Sequence, residues 1–249
     1  MTDTLHRILP GVQKPARYVG GEYNEILKDK KDVDVRVAFC FPDTYEIGMS
    51  NIGMRILYGV MNEMPGVWCE RVFAPWGDME AAMKRHGIPL FTLESHDPVK
   101  AFDLVAFTIG YEMSYSNVLN MLSLAGIPLL AKDRPGLEGL VFAGGICTVN
   151  PEPLADFIDF FSLGEGEEST VEIVSLYRTA KREGWDKVRF LREAAKIEGV
   201  YVPSFYEHTY NPDGTLAAIT PLGGAPERVT KRVIRDLDGV YYPTKLIVP

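Results

Sequence analysis

The sequence has few cysteines and no long apolar run. Cys40, Cys69 and Cys147 lie far apart, are odd in number and show no CxxC spacing, which excludes a secreted disulfide framework and a zinc ribbon. No uninterrupted apolar segment approaches the ~18 residues of a membrane span, and the N-terminus lacks the apolar run of a signal peptide. We therefore expect a cytoplasmic protein that does not contact a membrane.

An excess of basic residues is also absent. Lysine and arginine total 26 against 34 aspartates and glutamates, which gives a formal net charge of −8. Binding to nucleic acid needs clustered basic side chains that neutralise phosphates, so we do not expect it through this chain. The content of 46% hydrophobic and 24% charged residues is typical of a globular protein.

Short apolar runs alternate with segments of helical periodicity. Continuous apolar strands separated by helices predict a mostly parallel sheet that is covered on both faces, which is a doubly wound α/β fold. Such folds bind ligands where loops leave the carboxyl ends of the strands. The six predicted strands are residues 35–41, 67–74, 89–95, 104–109, 140–143 and 157–163.

Local signals predict where the helices of this domain begin and end. Asp78 is a candidate N-cap of a helix that Gly87 closes. Ser169 and Glu172 have the spacing of a capping box and predict the start of a later helix. The segment PDTYEIG, residues 42–48, is predicted to be a loop between the first strand and its helix.

The strand and helix pattern divides the chain into three parts. We expect an N-terminal arm over residues 1–34, the α/β domain over 35–183, and a small α+β appendage over 184–249. The appendage contains an amphipathic helix, a hairpin with the turn sequence NPDG, and a linker. Its final apolar run, YYPTKLIVP, predicts that the chain is cut before its next structural element.

The loop after the first strand holds the spacing DxYxxG in Asp43, Tyr45 and Gly48. A doubly wound fold presents its ligand at this position. The residues alone leave two interpretations open. Either this loop binds a ligand, or Asp43 caps a turn, the Tyr45 ring packs in the core and Gly48 serves backbone geometry.

Two later loops on the same side carry small residues. Thr108 and Gly110 follow a central strand, and Gly144 and Gly145 follow the next strand. A glycine at the end of a strand is ordinarily part of a turn. The three loops in this order are together more specific for ligand binding than each is alone.

The sequence LGEGEE at residues 163–168 resembles a glycine-rich phosphate loop in composition. It lacks the lysine of such a loop, and its three carboxylates would repel a phosphate. We therefore exclude a nucleotide site there. Cys40 and Cys147 both follow strands on the ligand side, but a buried cysteine commonly acts as a small apolar side chain.

Seven segments between residues 15 and 168 are distinctive: PARYVGGEYN, FPDTYEIGMSNIGMRILY, ERVFAPW, LFTLES, YEMSYSNVLNMLSLAGIPL, AGGICTVNPEPLADF and LGEGEE. Together they resemble the N-terminal region of a family of radical SAM proteins that have a cobalamin-binding-like domain in front. The glycine pair, the Pro-Glu-Pro sequence after it and the GEGE loop resemble a pattern that is shared more widely by radical SAM proteins with such a domain in front.

The resemblance implies a flavodoxin-like domain whose three loops hold cobalamin. The candidate cofactor-binding residues are Asp43, Tyr45, Gly48, Thr108, Gly110, Gly144 and Gly145. In cobalamin-binding domains the first loop reads DxHxxG, and its histidine is the lower ligand of cobalt. This chain has a tyrosine there, and phenol is a poorer ligand than imidazole, so we expect cobalamin bound without histidine and no metal ligand from the chain.

The same family places a [4Fe–4S] cluster and S-adenosylmethionine in a β/α barrel with a CxxxCxxC loop. No such spacing occurs here, so the resemblance implies that these cofactors belong to a downstream domain and that this chain alone is not catalytic. The barrel is the expected intramolecular partner.

Three functions remain open at this stage. The first is a module that places a corrinoid, or shapes the substrate site, next to the barrel. The second is a cofactor-free scaffold that docks on the barrel, which predicts an exposed apolar surface and self-association of this chain. The third is a free-standing flavodoxin-like binding protein, although no hydroxyl-rich phosphate loop follows the first strand.

Overall fold

The computed structural model of the protein describes residues 2–248. The helices are α1 (Thr2–Ile8), α2 (Tyr45–Ser50), α3 (Ile52–Glu63), α4 (Gly77–His86), α5 (Tyr115–Ala125), α6 (Gly166–Glu183) and α7 (Lys187–Ala194). The strands are β1 (Val35–Phe41), β2 (Val67–Phe73), β3 (Leu104–Thr108), β4 (Leu140–Gly144), β5 (Phe160–Ser162), β6 (Val200–Tyr201), β7 (Tyr206–Tyr210) and β8 (Leu216–Pro221).

The main sheet has six strands in the order β2-β1-β3-β4-β5-β6. The first five are parallel and β6 is antiparallel to β5. This order over the parallel strands is that of a doubly wound, flavodoxin-like fold. The predicted fold class is therefore confirmed, and the chain order changes direction between β1 and β3.

Helices cover both faces of the sheet and form two separate cores. One core contains Met79 and Met83 of α4 together with apolar residues of α1 and α5. The other contains Met54 and Tyr58 of α3 together with apolar residues of α6 and α7. The two-sided burial explains why the parallel strands consist of nearly continuous apolar residues.

One of the six predicted strands does not form. Residues 89–95 make only an isolated bridge between Phe91 and Pro98, and the prediction of a strand there is wrong. Leu93 donates its backbone N–H to the carbonyl of Arg71 at 2.9 Å, so this segment lies along the outer edge of β2 and then turns. The sixth strand of the sheet is instead β6, whose residues were predicted to belong to the hairpin.

Two predicted helix starts are also wrong. Helix α4 has Trp76 as its N-cap, and Asp78 accepts a hydrogen bond from the backbone N–H of Gln13 at 2.6 Å. Helix α6 begins at Gly166, so Ser169 lies inside it and bonds to the Glu165 carbonyl at 3.2 Å. In both places, the side chain that was predicted to cap the helix has a different hydrogen-bond partner.

The N-terminal arm covers the outer edge of β2. The indole Nε1 of Trp68 donates to the carbonyl of Ile26 at 3.0 Å, and the ammonium group of Lys28 donates to the carbonyls of Asn62 and Val67. These contacts explain why all seven residues of this edge strand are buried. An edge strand that lacked such a cover would present unpaired backbone groups.

Strands β7 and β8 form a separate antiparallel hairpin whose second strand is almost entirely exposed. Helix α7 and the hairpin were both predicted, and both form. Within residues 2–248, no helix combines the length and apolar character needed to cross a membrane.

Candidate functional site

A cavity of about 230 Å³ lies at the carboxyl ends of β3, β4 and β5, between the sheet and helices α3 and α6. Its walls are mostly apolar, and short or polar residues surround them. The apolar walls are Phe39, Leu57, Met61, Ala106, Phe107 and Phe142; the other lining residues are Gly53, Thr108, Gly144, Gly145, Ser162, Gly164, Glu165, Gly166, Glu167 and Thr170.

Small residues at the strand ends create this space. Thr108 lies beside Gly144 in the parallel register of β3 and β4. A Cβ atom built on Gly144 would lie 3.6 Å from the carbonyl oxygen of Ser162 on β5, which is an ordinary contact. Bulky side chains at these ends would fill the cavity, because successive parallel strands place their last residues side by side.

Three of the seven predicted site residues, Thr108, Gly144 and Gly145, line the cavity. Gly110 is not among the lining residues, and a Cβ atom on it would meet nothing within 4 Å. Gly145 has a φ of +103°, and its Cβ atom would lie 2.6 Å from the carbonyl oxygen of Ile109. Glycine is therefore required at position 145, because the loop after β4 closely approaches the loop after β3.

Tyr45 belongs to helix α2 and not to a loop, which corrects the prediction for residues 42–48. Its side chain is turned into the protein and is 8% exposed. The hydroxyl donates to Glu22 Oε1 at 2.9 Å, and the ring meets Phe73 edge-on at 5.3 Å between centroids. Burial raises the pKa of the Tyr45 phenol well above its usual value, so the group stays neutral.

Gly48 is buried beneath Tyr45 in the same helix. A Cβ atom on it would overlap the ring of Phe73 and approach Phe41 to 3.1 Å. The glycine of the DxYxxG spacing thus allows α2 to pack closely on the ends of β1 and β2. Its role in this structure is backbone geometry.

Asp43 lies on the surface between two strand-end loops. Its Oδ2 atom accepts a hydrogen bond from the hydroxyl of Tyr111 at 2.6 Å, and its Oδ1 atom accepts one from the backbone N–H of Thr44 at 2.6 Å. The bond to Asp43 also raises the pKa of Tyr111. Tyr111 was not among the predicted site residues, because a tyrosine beyond a strand end carries no local signal of its partner.

A buried ion cluster holds Tyr45 in place from below. Arg71 is 1% exposed; its guanidinium contacts Glu94 at 2.6 Å, Glu22 at 2.9 Å and Glu25 at 3.7 Å. Burial raises the pKa of Glu94 to about 7, even though Arg71 opposes that shift. For Glu22, burial acts in the same direction, but Arg71 outweighs it and keeps the pKa below its usual value.

None of these charged residues was predicted to form a buried cluster. Its signal is the pair Glu70 and Arg71 in the middle of the apolar run VWCERVF, because charged residues in a buried strand require partners. Arg36 supplies the partner of Glu70. Glu22 belongs to GGEYN, a segment that carried the family resemblance, and its partners Tyr45 and Arg71 give that segment a structural role.

Large apolar side chains are exposed on the loops and helices that follow β1, β3 and β4 at the same edge of the sheet. They include Met113 after β3 at 83% exposure, and Ile146 and Val149 after β4 at 74% and 68%. Ile47 and Ile52, which follow β1, are 51% and 60% exposed. Adjacent loops touch through the bond of Tyr111 to Asp43. We call these five residues the apolar rim.

The residues at this edge suit the nucleotide tail of a corrinoid, but they provide no ligand for its cobalt. The cavity walls fit a flat apolar group such as the base of a nucleotide tail, because they offer ring and methyl contacts and few buried polar groups. Tyr45, which the resemblance aligns with a cobalt-binding histidine, points inward, and its hydroxyl is bonded to Glu22. Within residues 2–248, no cluster of three His, Cys, Asp or Glu residues could hold a metal ion.

A family model for the N-terminal region of radical SAM proteins matches residues 53–203. An uncharacterised protein of Methanocaldococcus jannaschii is 26% identical over 221 residues, which cover 84% of this chain and 42% of that protein. The chain thus spans less than half the length of this curated relative. No solved structure gives a significant match.

Proposed function

Because the chain belongs to the family of N-terminal regions of radical SAM proteins, we propose that it is the front module of a radical SAM enzyme and receives the tail of a corrinoid. The cavity between the sheet and helices α3 and α6 is the observation that carries this proposal. It opens at the carboxyl edge of a doubly wound sheet, where such folds bind their ligands.

The residues that line the cavity suit a ligand ring with few polar groups. The side chains of Phe39, Met61 and Phe142 offer apolar contacts, while Thr108 and Thr170 offer hydroxyl groups at the strand and helix ends. The carboxylates of Glu165 and Glu167 disfavour a free phosphate inside the cavity. The phosphate of a corrinoid tail would therefore lie outside, on the solvent side of Gly144 and Gly145.

A bound corrinoid would supply a cobalt centre for alkyl-group chemistry. This chain would hold it by the tail alone, since Tyr45 is turned inward and engaged by Glu22. The proposed roles of the residues are thus unequal. Thr108, Gly144 and Gly145 shape the binding cavity, Asp43 and Gly110 lie at the surface of the edge, and Tyr45 and Gly48 support it from below.

We propose that the [4Fe–4S] cluster and S-adenosylmethionine bind elsewhere in the enzyme. A cluster of this type needs three thiolates in close spacing. Here Cys40, Cys69 and Cys147 are separate and buried, and burial raises the pKa of each thiol.

Binding of hydroxocobalamin and cobinamide tests the proposal. The protein is incubated anaerobically with each corrinoid and passed over a gel-filtration column. We expect it to retain hydroxocobalamin at one equivalent, and to retain cobinamide, which lacks the nucleotide tail, about tenfold more weakly or not at all, because the tail supplies the apolar contacts. Equal retention of both compounds, or of neither, would contradict tail binding.

A cavity-filling variant sharpens this test. Ala106 is buried on β3 and faces the cavity, so Ala106→Leu places a larger side chain in the space for the ring. We expect Ala106→Leu to lose hydroxocobalamin. Ala217→Leu makes the same chemical change on the exposed hairpin and should retain the corrinoid. Circular dichroism of both variants checks that each is folded.

A second candidate function, a cofactor-free docking scaffold, is supported by the apolar rim. Several large apolar side chains exposed at one edge of a sheet are typical of an interaction surface. If the rim docks on the rest of the enzyme, this chain alone should self-associate, and Met113→Ser with Ile146→Ser should make it monomeric in light scattering. Leu216→Ser with Ile219→Ser on the hairpin is the matched control. A monomeric unmodified chain would rule this function out.

A further inference from the structure

Residues 231–248 form an irregular segment, with one short 3-10 turn at Leu237–Gly239, that runs from the start of α6 across α3 to the N-terminal arm; we call it the strap. At its first end, Arg232 makes a parallel bridge to Gly164. At its other end, Val248 makes an antiparallel bridge to Tyr23. We infer that the strap positions residues 164–167, which lead into α6 and form one wall of the cavity, and that it thereby controls what the cavity binds.

The backbone of Arg232 pairs with the chain on both sides of Gly164. Its N–H donates to the carbonyl of Leu163 at 2.8 Å, and its own carbonyl accepts from the N–H of Glu165 at 3.1 Å. The N–H of Ile234 donates to the Glu165 carboxylate. Gly164 and Glu165 line the cavity, so these contacts set the position of the wall without any strap residue entering the cavity.

The side chain of Arg232 neutralises the acidic start of α6. It contacts Glu168 and Glu172 at 2.7 Å each and approaches Glu198 at 3.9 Å. The two close carboxylates raise the pKa of Arg232 despite its partial burial. Arg232 is therefore the counter-charge of Glu168, Glu172 and Glu198, which would repel one another without the guanidinium.

Glycines at two distant places make room for the strap. A Cβ atom on Gly164, whose φ is +97°, would overlap the carbonyl oxygen of Arg232. A Cβ atom on Gly59, in the middle of α3, would overlap the ring of Tyr241. Glycine in a helix interior is unfavourable relative to alanine, so its presence in α3 is explained by the strap and not by the helix.

Hydrogen exchange measured by mass spectrometry on the whole chain tests this coupling. Arg232→Gln removes the counter-charge, and Gly59→Ala displaces the strap from its far side while improving the helix propensity of α3. We expect each variant to speed exchange about tenfold in both the strap and residues 163–168, because a charged hydrogen-bonded network is lost. Exchange in β1 and β3 should not change.

Arg235→Gln is the matched control, because this neighbouring arginine is exposed. It should exchange like the unmodified protein. If Gly59→Ala speeds exchange only near Tyr241, or if the strap exchanges freely in the unmodified protein, the inference is wrong. Arg232→Lys keeps the charge but not the two-pronged contact to Glu168, and should restore protection only in part.

Corrinoid binding provides a second readout, and here alone the inference rests on the proposed function. We expect Gly59→Ala and Arg232→Gln to weaken hydroxocobalamin retention about tenfold, since the cavity wall is displaced. If the unmodified protein retains no corrinoid, the proposed function fails while the exchange result still decides the coupling. If it retains corrinoid and both variants bind equally well, the control of binding by the strap fails.

Discussion

The hydroxyl of Tyr45 donates to Glu22 Oε1 at 2.9 Å, and this bond joins the helix after β1 to the N-terminal arm. Glu22 in turn meets Arg71 on β2 at 2.9 Å. Tyr45 is thus one member of a buried network. Its surroundings favour a neutral, hydrogen-bonded phenol over a group that reaches out to a ligand.

Tyr45→Phe should destabilise the fold by about 1 kcal/mol, because it removes one buried hydrogen bond but leaves Glu22 paired with Arg71. The measurement is urea unfolding followed by circular dichroism. Tyr111→Phe is the control, since its hydroxyl bonds to Asp43 from a ring that is 43% exposed, and the expected change is below about 0.5 kcal/mol. Equal losses in both variants would contradict the buried role of Tyr45.

Arg71→Met should be far more damaging. It leaves Glu22 and Glu94 buried without a counter-charge, and breaking a buried ion pair on one side costs about 3–5 kcal/mol. Arg189→Met, at a residue whose side chain is 58% exposed, should cost less than about 0.5 kcal/mol. Unfolding midpoints in urea compare the two variants directly.

Glu94 should make stability depend on pH in an unusual direction. Its pKa in the folded protein is raised from 4.5 to about 7 by burial, so the folded state binds this proton more tightly than the unfolded state. The stabilisation is fully present below pH 4.5 and is lost as the pH rises through 7.

Comparison with Glu94→Gln isolates this group. Between pH 5 and pH 7.5 the unmodified protein should lose up to about 2 kcal/mol that the variant does not lose. Urea unfolding of both proteins at the two pH values gives the difference. If the difference in free energy of unfolding between the two proteins is the same at both pH values, Glu94 does not titrate in this range.

Two glycines predicted as ligand contacts should respond differently to alanine. Gly145→Ala forces a side chain into a φ of +103° with its Cβ 2.6 Å from Ile109, and should cost about 1–3 kcal/mol. Gly110→Ala meets no atom within 4 Å and should change stability by less than about 0.5 kcal/mol. Thermal unfolding of the two variants shows whether the backbone requires glycine at position 145 and tolerates a side chain at position 110.

The fold was largely predictable because the parallel strands are buried on both faces. Continuous runs such as Val35–Phe41 and Leu104–Thr108 carry that signal within a few residues. The segment 89–95 misled the prediction because its apolar residues do pack in the core, while its backbone follows the edge of β2 only briefly. Apolar content alone does not distinguish these two cases.

The candidate site was predictable only in part. Thr108, Gly144 and Gly145 line the cavity because residues at the ends of neighbouring parallel strands must lie together. The inward position of Tyr45 depends on Glu22, which precedes it by 23 residues, and the wall of the cavity depends on Arg232, which follows Glu168 by 64. No local pattern reports such partners, since both arise from chain segments outside the alternating units.

The N-terminal arm also determines how this protein can be handled. The strand pattern suggests a minimal domain that begins at Val35, but such a chain would lack Ile26 and Lys28, which cover β2. The uncovered strand would offer its backbone to any other chain and invite aggregation. A fragment chosen for expression or for fusion to another protein should therefore keep both the N-terminal arm and helix α1, whose residues Leu5 and Ile8 are buried in the core beside α4.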